Sequence, residues 1–375
     1  MLPFPIINNL RIKPENPGIR RLSSSNNSIV LQYNSGDTYA LGTNSSGKYG
    51  TGDTTLLSAW TRLKDNVRLY CSGPNFSILV TNDNKVYGSG NIGYVFTGAG
   101  TSTTYVDITS RFSTFDLSTI KSIESAPDIG RLFLIDGTDK LWGIGSNQYN
   151  GLGSGSSTAG VSVWTALANG TNVKKVQCAL AGTWIIKNDG TIWRTGTNTY
   201  RVLLGSNETT VFTTFQQYTS FNCIDISTSQ YNTSFILTDG TLRICGNGGN
   251  GQLGNGSTGT SWQLLPYNPG LTACTLLPVS SDFYMSTVIS SDGMYSTGSN
   301  GGGRFGINNG NTTVTTFTKA LGSITSQNLG SISNICSVSN ASYYVYDNKV
   351  YAAGYSSMIL VNSSYVYVPM PTPYN

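Results

Sequence analysis

The chain has 375 residues, a formal charge of +4, 38% apolar and 11% charged residues, and no histidine. Plentiful apolar residues and a low net charge exclude a disordered chain, and the missing histidine removes the commonest general base and metal ligand. Gly, Ser, Thr and Asn make up nearly half of the chain, a composition suited to many short strands joined by turns.

Residues 1–17, MLPFPIINNLRIKPENP, form a Pro-containing arm. This start lacks a basic n-region and a long apolar run, so it does not read as a Sec signal peptide. No stretch of the chain reaches the length of a membrane span. GIRRLSSS (18–25) reads as the first strand.

Next come seven copies of one unit. Each opens with a short apolar run, such as Ile29-Val30-Leu31, Ile78-Leu79-Val80 or Phe133-Leu134-Ile135. A turn pair follows: Gly36-Asp37, Asp83-Asn84, Asp136-Gly137, Asp189-Gly190, Asp239-Gly240, Asp292-Gly293 and Asp347-Asn348. Such pairs tolerate the positive φ of a tight hairpin turn. After the turn stands an aromatic residue in six of seven copies (Tyr39, Tyr87, Trp142, Trp193, Tyr295, Tyr351, with Arg243 as the exception). Three residues further on is a glycine: Gly42, Gly90, Gly145, Gly196, Gly246, Gly298 or Gly354. A polar loop then leads to another aromatic, Trp60, Tyr105, Trp164, Phe215, Trp262, Phe317 or Tyr367, and a fourth strand such as NVRLYCSG (66–73).

Four strands in about fifty residues is a propeller blade, and seven anchor glycines give seven blades. The expected fold is all-β, a seven-bladed propeller over 18–368 with a tail at 369–375. The last anchor lies close to the chain end, so the fourth strand of its blade is expected from GIRRLSSS, closing the ring.

GNGGNG (246–251) fits the G-x-G-x-x-G spacing of a dinucleotide site, which requires a helix to follow. The downstream QLGNGSTGTSWQLLP (252–266) has no helical apolar period. The stretch is one copy of a loop that also occurs as GTNSSGKYG (42–50), GSNQYNGLG (145–153) and GSNGGGRFG (298–306). No nucleotide or other cofactor is expected.

These repeats resemble the regulator of chromosome condensation family, whose repeat runs roughly D-G-x-[LV]-[YW]-x-[WF]-G-x-N-x-x-G-Q-L-G. TDGTLRICGNGGNGQLG (238–254) and DGTDKLWGIGSNQYNGLG (136–153) carry the likeness. The resemblance implies a seven-bladed propeller acting through a face or rim. Family members include an exchange factor for a small nuclear GTPase, a plant ultraviolet photoreceptor and a secreted β-lactamase inhibitor. Many family repeats carry G-x-x-H-[ST]; the equivalent regions here read GPNFS (73–77), GTWII (182–186) and YNTSF (231–235).

Seven of the 18 carboxylates are the turn aspartates, and the rest show no paired spacing for acid–base work. Only Glu15, Glu124 and Glu208 are glutamates. The six cysteines are scattered within apolar runs and read as buried free thiols. An enzyme is not expected, nor a metal site. Positive charge never exceeds the pairs Arg20-Arg21 and Lys174-Lys175, so no nucleic-acid partner is expected. Loop-tip residues are the binding candidates, because the scaffold does not dictate them. Tyr94, Tyr149, Tyr200, Arg201 and Arg304 break the loop pattern and are of types enriched in hot spots.

The expected function is non-enzymatic protein binding. A charge-poor surface rich in Ser, Thr, Asn, Gly and Tyr suits a phage or viral virion component: a tail, fibre or decoration protein made in the cytoplasm and displayed on a particle surface. Its partners would be neighbouring virion subunits or a host receptor, docked in part through the arm (1–17) and the tail PMPTPYN (369–375). The alternative is an intracellular regulator resembling the GTPase exchange factor or a chromatin-binding propeller.

Overall fold

A computed structural model describes residues 16–374 except 26, 127–128, 158–159, 204–209, 259–262, 279–283, 311 and 356–363. Most of the expected arm (1–15, with Glu15), Glu208 and Trp262 lie outside the described residues.

Seven four-stranded antiparallel sheets follow one another along the chain. The second strand of each blade is buried along almost its whole length, as in Ser28–Tyr33, Phe76–Thr81 and Asn232–Leu237. Such strands are covered on both faces by neighbouring blades, hence their continuous apolar runs. The core lies between blades rather than within them. Leu22, Leu31 and Leu41 of the first blade pack with Tyr343, Val345 and Val350 of the last.

The repeat explains itself at the anchor glycine. In every blade the N–H of the following residue donates to a carbonyl at the start of the second strand. Examples are Asn91 to Asn75 (2.8 Å), Thr197 to Ala181 (2.9 Å) and Ser299 to Tyr284 (2.8 Å). Reaching that carbonyl puts the glycine at positive φ, +119° at Gly196 and +112° at Gly298. A Cβ there would sit 2.2 Å from the same carbonyl oxygen.

The later glycine of each loop serves the ring. Gly50 lies against Tyr105, Gly153 against Phe215, Gly254 against Phe317 and Gly306 against Tyr367, each aromatic belonging to the next blade. The repeated aromatics therefore fill the seams between wedges.

Ring closure differs from the sequence expectation. Ile19–Ser24 pairs with Ser28–Tyr33 and begins the first blade. The blade containing Gly354 is complete without it, built from Asn334–Val338, Ala341–Tyr346, Lys349–Gly354 and Ser364–Met370. NVRLYCSG (66–73), expected as the fourth strand of one blade, supplies Val67–Ser72, the first strand of the next. Seven four-stranded blades pack face to face around the ring, and among the described residues no strand is exchanged between them.

Closure is made by side chains instead. Leu22 N donates to Asn334 Oδ1 (3.4 Å) and Ser24 Oγ to the Ser337 carbonyl (2.8 Å). On the outside, the segment expected to reach neighbouring subunits folds back onto the first blade. Trp60 Nε1 donates to the Pro371 carbonyl (3.0 Å), the Tyr374 ring sits 4.6 Å from that of Tyr33, and the Tyr374 hydroxyl donates to Asp37. Tyr374→Ala is expected to cost about 1–3 kcal/mol, measured by urea unfolding. An unchanged midpoint would show that the latch contributes nothing.

Candidate functional site

The strand directions divide the loops between two faces. One carries the turn aspartates and the links between blades. The other carries the loops that follow the anchor glycines and those joining the first and second strands.

On the second face a buried asparagine holds four of the long loops. Asn44, Asn147, Asn198 and Asn300 are buried. Each accepts on Oδ1 from the backbone N–H five residues on: Tyr49, Leu152, Leu203 and Phe305, at 2.9–3.0 Å. Asn44, Asn147 and Asn300 also donate from Nδ2 to the Asp53, Ser156 and Asn309 carbonyls. The loop tips are thus held rigidly from below.

Two residues after this asparagine stand Ser46, Tyr149, Tyr200 and Gly302. Tyr149 adopts φ +60°, like Ser46 at +60° and Gly302 at +68°. Positive φ is costly for a bulky side chain. The turn therefore does not ask for tyrosine. The Tyr149 ring lies 6.3 Å from that of Tyr200, and Tyr200 lies 4.9 Å from Tyr231 of the following blade. Burial and the neighbouring Tyr149 raise the Tyr200 hydroxyl pKa above the usual phenol value. Tyr94, Tyr284 and Tyr355 are exposed on the same face. Among the described residues, Asp53 and Arg201 are the accessible charges of these loops.

The structure thus brings Tyr149 and Tyr200 together. Tyr94 lies further round, over Gly130 of the adjacent blade. Arg201 is half-buried at φ +55°. Arg304 is not an exposed loop tip. It is 1% exposed and donates to the Ser299, Val338 and Ser339 carbonyls, joining its loop to the next blade. Lys48 stands at the same loop position and is also buried, its Nζ donating to the Ser25 carbonyl. Tyr231, Tyr284 and Tyr355 were not singled out from sequence. Tyr231 stands in YNTSF, where the family histidine is missing, and that departure was the available signal.

The remaining chemistry is structural. Asp136 Oδ1 accepts from the Thr138 and Lys140 N–H groups, and Asp189 and Asp239 accept from Thr191 and Thr241. Several aromatics that follow the turns carry a lysine over the ring, with Lys64 3.9 Å from Tyr87 and Lys187 4.0 Å from Trp193. All six cysteines are buried and free. Burial pushes the Cys274 thiol up to about 11 and that of Cys178 to about 12.

No family model matches the sequence, and no curated protein matches it. Solved structures do. Human WBSCR16 superposes with a TM-score of 0.71 at 14% identity, covering 90% of this chain and 94% of that one. Yeast RCC1 (Prp20), solved bound to Kap60, gives 0.71 at 14% identity over 90% and 84% of the two chains. Prp20p from Saccharomyces cerevisiae, described with its binding to Gsp1p and histones, gives 0.63 at 13% over 85% and 80%. This chain has an RCC1-like fold, a seven-bladed β-propeller.

Proposed function

We propose that this protein is a non-enzymatic docking propeller, binding a protein partner through the tyrosine-bearing loop face in the manner of an intracellular regulator. The observation that carries it is Tyr149. A bulky residue is held at positive φ where the smaller Ser46 and Gly302 fill the same turn, and its ring continues into Tyr200 and Tyr231. Strained, accessible aromatics on a rigid loop base are characteristic of binding surfaces. One neighbour in fold supports the regulator reading, yeast Prp20, solved once with Kap60 and once described with its binding to Gsp1p and histones.

A virion component is the second reading. Its support is the scarcity of accessible charge on the loop face among the described residues. The tail that would have joined it to other subunits is engaged on its own first blade, which weighs against it.

The test is affinity capture from the source cell with wild type and a Tyr149→Ser, Tyr200→Ser, Tyr231→Ser variant. A partner held at least tenfold more weakly by the variant supports docking through this face. Equal capture by both proteins rejects it. Recovery of the protein in purified particles, with no soluble partner, would favour the virion reading.

A further inference from the structure

The sequence holds two basic pairs, Arg20-Arg21 and Lys174-Lys175, 154 positions apart and in different blades. The fold places both in the central channel. They line a cavity of about 480 Å³ formed by the first strands of the blades, on opposite sides of the ring.

Within the channel the four cations are not equivalent. Arg21 reaches across to Glu124 at 3.3 Å, and Lys175 pairs with Asp225 at 2.6 Å while also donating to the Ile226 carbonyl. These pairs fill the interior of the channel. Arg20 and Lys174 are exposed and have no carboxylate partner among the described residues. Both stand one residue nearer the strand start, at the mouth on the turn face.

Their placement is built into the sheet. Five first strands carry a β-bulge at their second residue: Arg20, Arg68, Lys174, Ile224 and Thr275. A bulge re-aims its side chain out of the ladder. Three of the five re-aimed residues are basic. Arg68 spends its guanidinium on the Ile120 and Leu117 carbonyls, which leaves Arg20 and Lys174 as the open pair. Burial first, and then the neighbouring Arg20, hold the Arg68 guanidinium below its usual value, so an anion at the mouth would relieve repulsion as well as gain attraction.

We propose that this mouth binds a compact polyphosphate anion. The cavity volume is that of a small-molecule site. Guanidinium and ammonium groups converging from opposite sides suit a ligand carrying several phosphates close together. Glu124 and Asp225 lie deeper, where they hold Arg21 and Lys175 and limit entry to the outer part of the channel. The site is on the face opposite the tyrosines and stands independently of the docking reading.

The test is isothermal titration calorimetry of the full chain at low salt with inorganic tripolyphosphate, ATP and inositol hexakisphosphate, and with orthophosphate and a hexaglutamate peptide for comparison. Micromolar binding of at least one polyphosphate is expected, weakening as salt is added. Arg20→Gln with Lys174→Gln should raise its Kd at least tenfold, with an unchanged melting temperature in ligand-free buffer. The preferred arm among the three identifies the source of the phosphates. No heat with any polyphosphate, or binding unaffected by the double variant, overturns the site. Tighter binding of hexaglutamate than of every polyphosphate overturns the ligand class in favour of an acidic peptide segment.

Discussion

Replacing Gly298 by alanine is expected to lower stability by about 3–5 kcal/mol, enough to unfold a domain of ordinary stability. Two penalties combine. The backbone stands at φ +112°, where an L side chain is strained. The new Cβ would also lie 2.2 Å from the Tyr284 carbonyl oxygen and 2.9 Å from Met285 Cα. Relieving that contact means moving the carbonyl, which accepts the Ser299 N–H at 2.8 Å. Gly256 provides the comparison. It has φ +81° but nothing within 4 Å of a Cβ, so Gly256→Ala should carry the backbone penalty alone, about 1 kcal/mol. Urea unfolding of the two variants measures the difference. Equal losses would mean that close approach to the carbonyl is not why the repeat keeps glycine there.

That glycine shows why so much of the fold was legible. An anchor glycine, a turn aspartate and an aromatic on the next wedge must recur in every blade, because each blade solves the same packing problem. Seven copies in the sequence therefore meant seven sheets. The phase of the repeat was not legible. Asp65 and Asn66 link two blades, while Gly73, Pro74 and Asn75 join two strands within one, and both connections are equally short and polar. Antiparallel neighbours look alike on either side of such links, so the blade boundary was drawn one strand late. GIRRLSSS then appeared to be needed by the last blade, when it opens the first.

The binding surface was half legible for a related reason. Tyr149 and Tyr200 departed from a loop pattern seen in other copies, and they meet in space. Arg304 departed too, but toward the core. Lys48, Val202, Gln252 and Arg304 occupy one loop position, and all four are buried. At the fifth copy, Gly151, the space is taken by the Arg131 guanidinium from a neighbouring strand. A charged residue in a loop ordinarily reads as exposed, and nothing local announces that this position points inward. Arg20-Arg21 and Lys174-Lys175 present the converse case. Each pair looks trivial in sequence, and only closing the ring sets them facing each other.

Lys48 yields a second large effect, in the pH dependence of stability. It is fully buried, has the Ser25 carbonyl as a hydrogen-bond acceptor and the Tyr49 ring 5.0 Å away, and its ammonium is driven down to about 7 by desolvation. In the unfolded chain the same group titrates near 10.5. Below pH 7 both states carry the proton, and the folded state bears the full cost of burying the charge. Between pH 7 and 10.5 the folded state has lost a proton that the unfolded state keeps. Stability due to this group therefore rises with pH across that window, by about 3–5 kcal/mol in total. Lys48→Met keeps the length of the side chain and removes the charge. The Ser25 carbonyl still accepts from the Ser28 hydroxyl, so no acceptor is stranded. The variant should be more stable than wild type at pH 6, and the gap should shrink steadily toward pH 10. Parallel stability curves for the two proteins across that range would show that the folded state keeps the Lys48 proton as the unfolded state does, so that burial does not lower this ammonium.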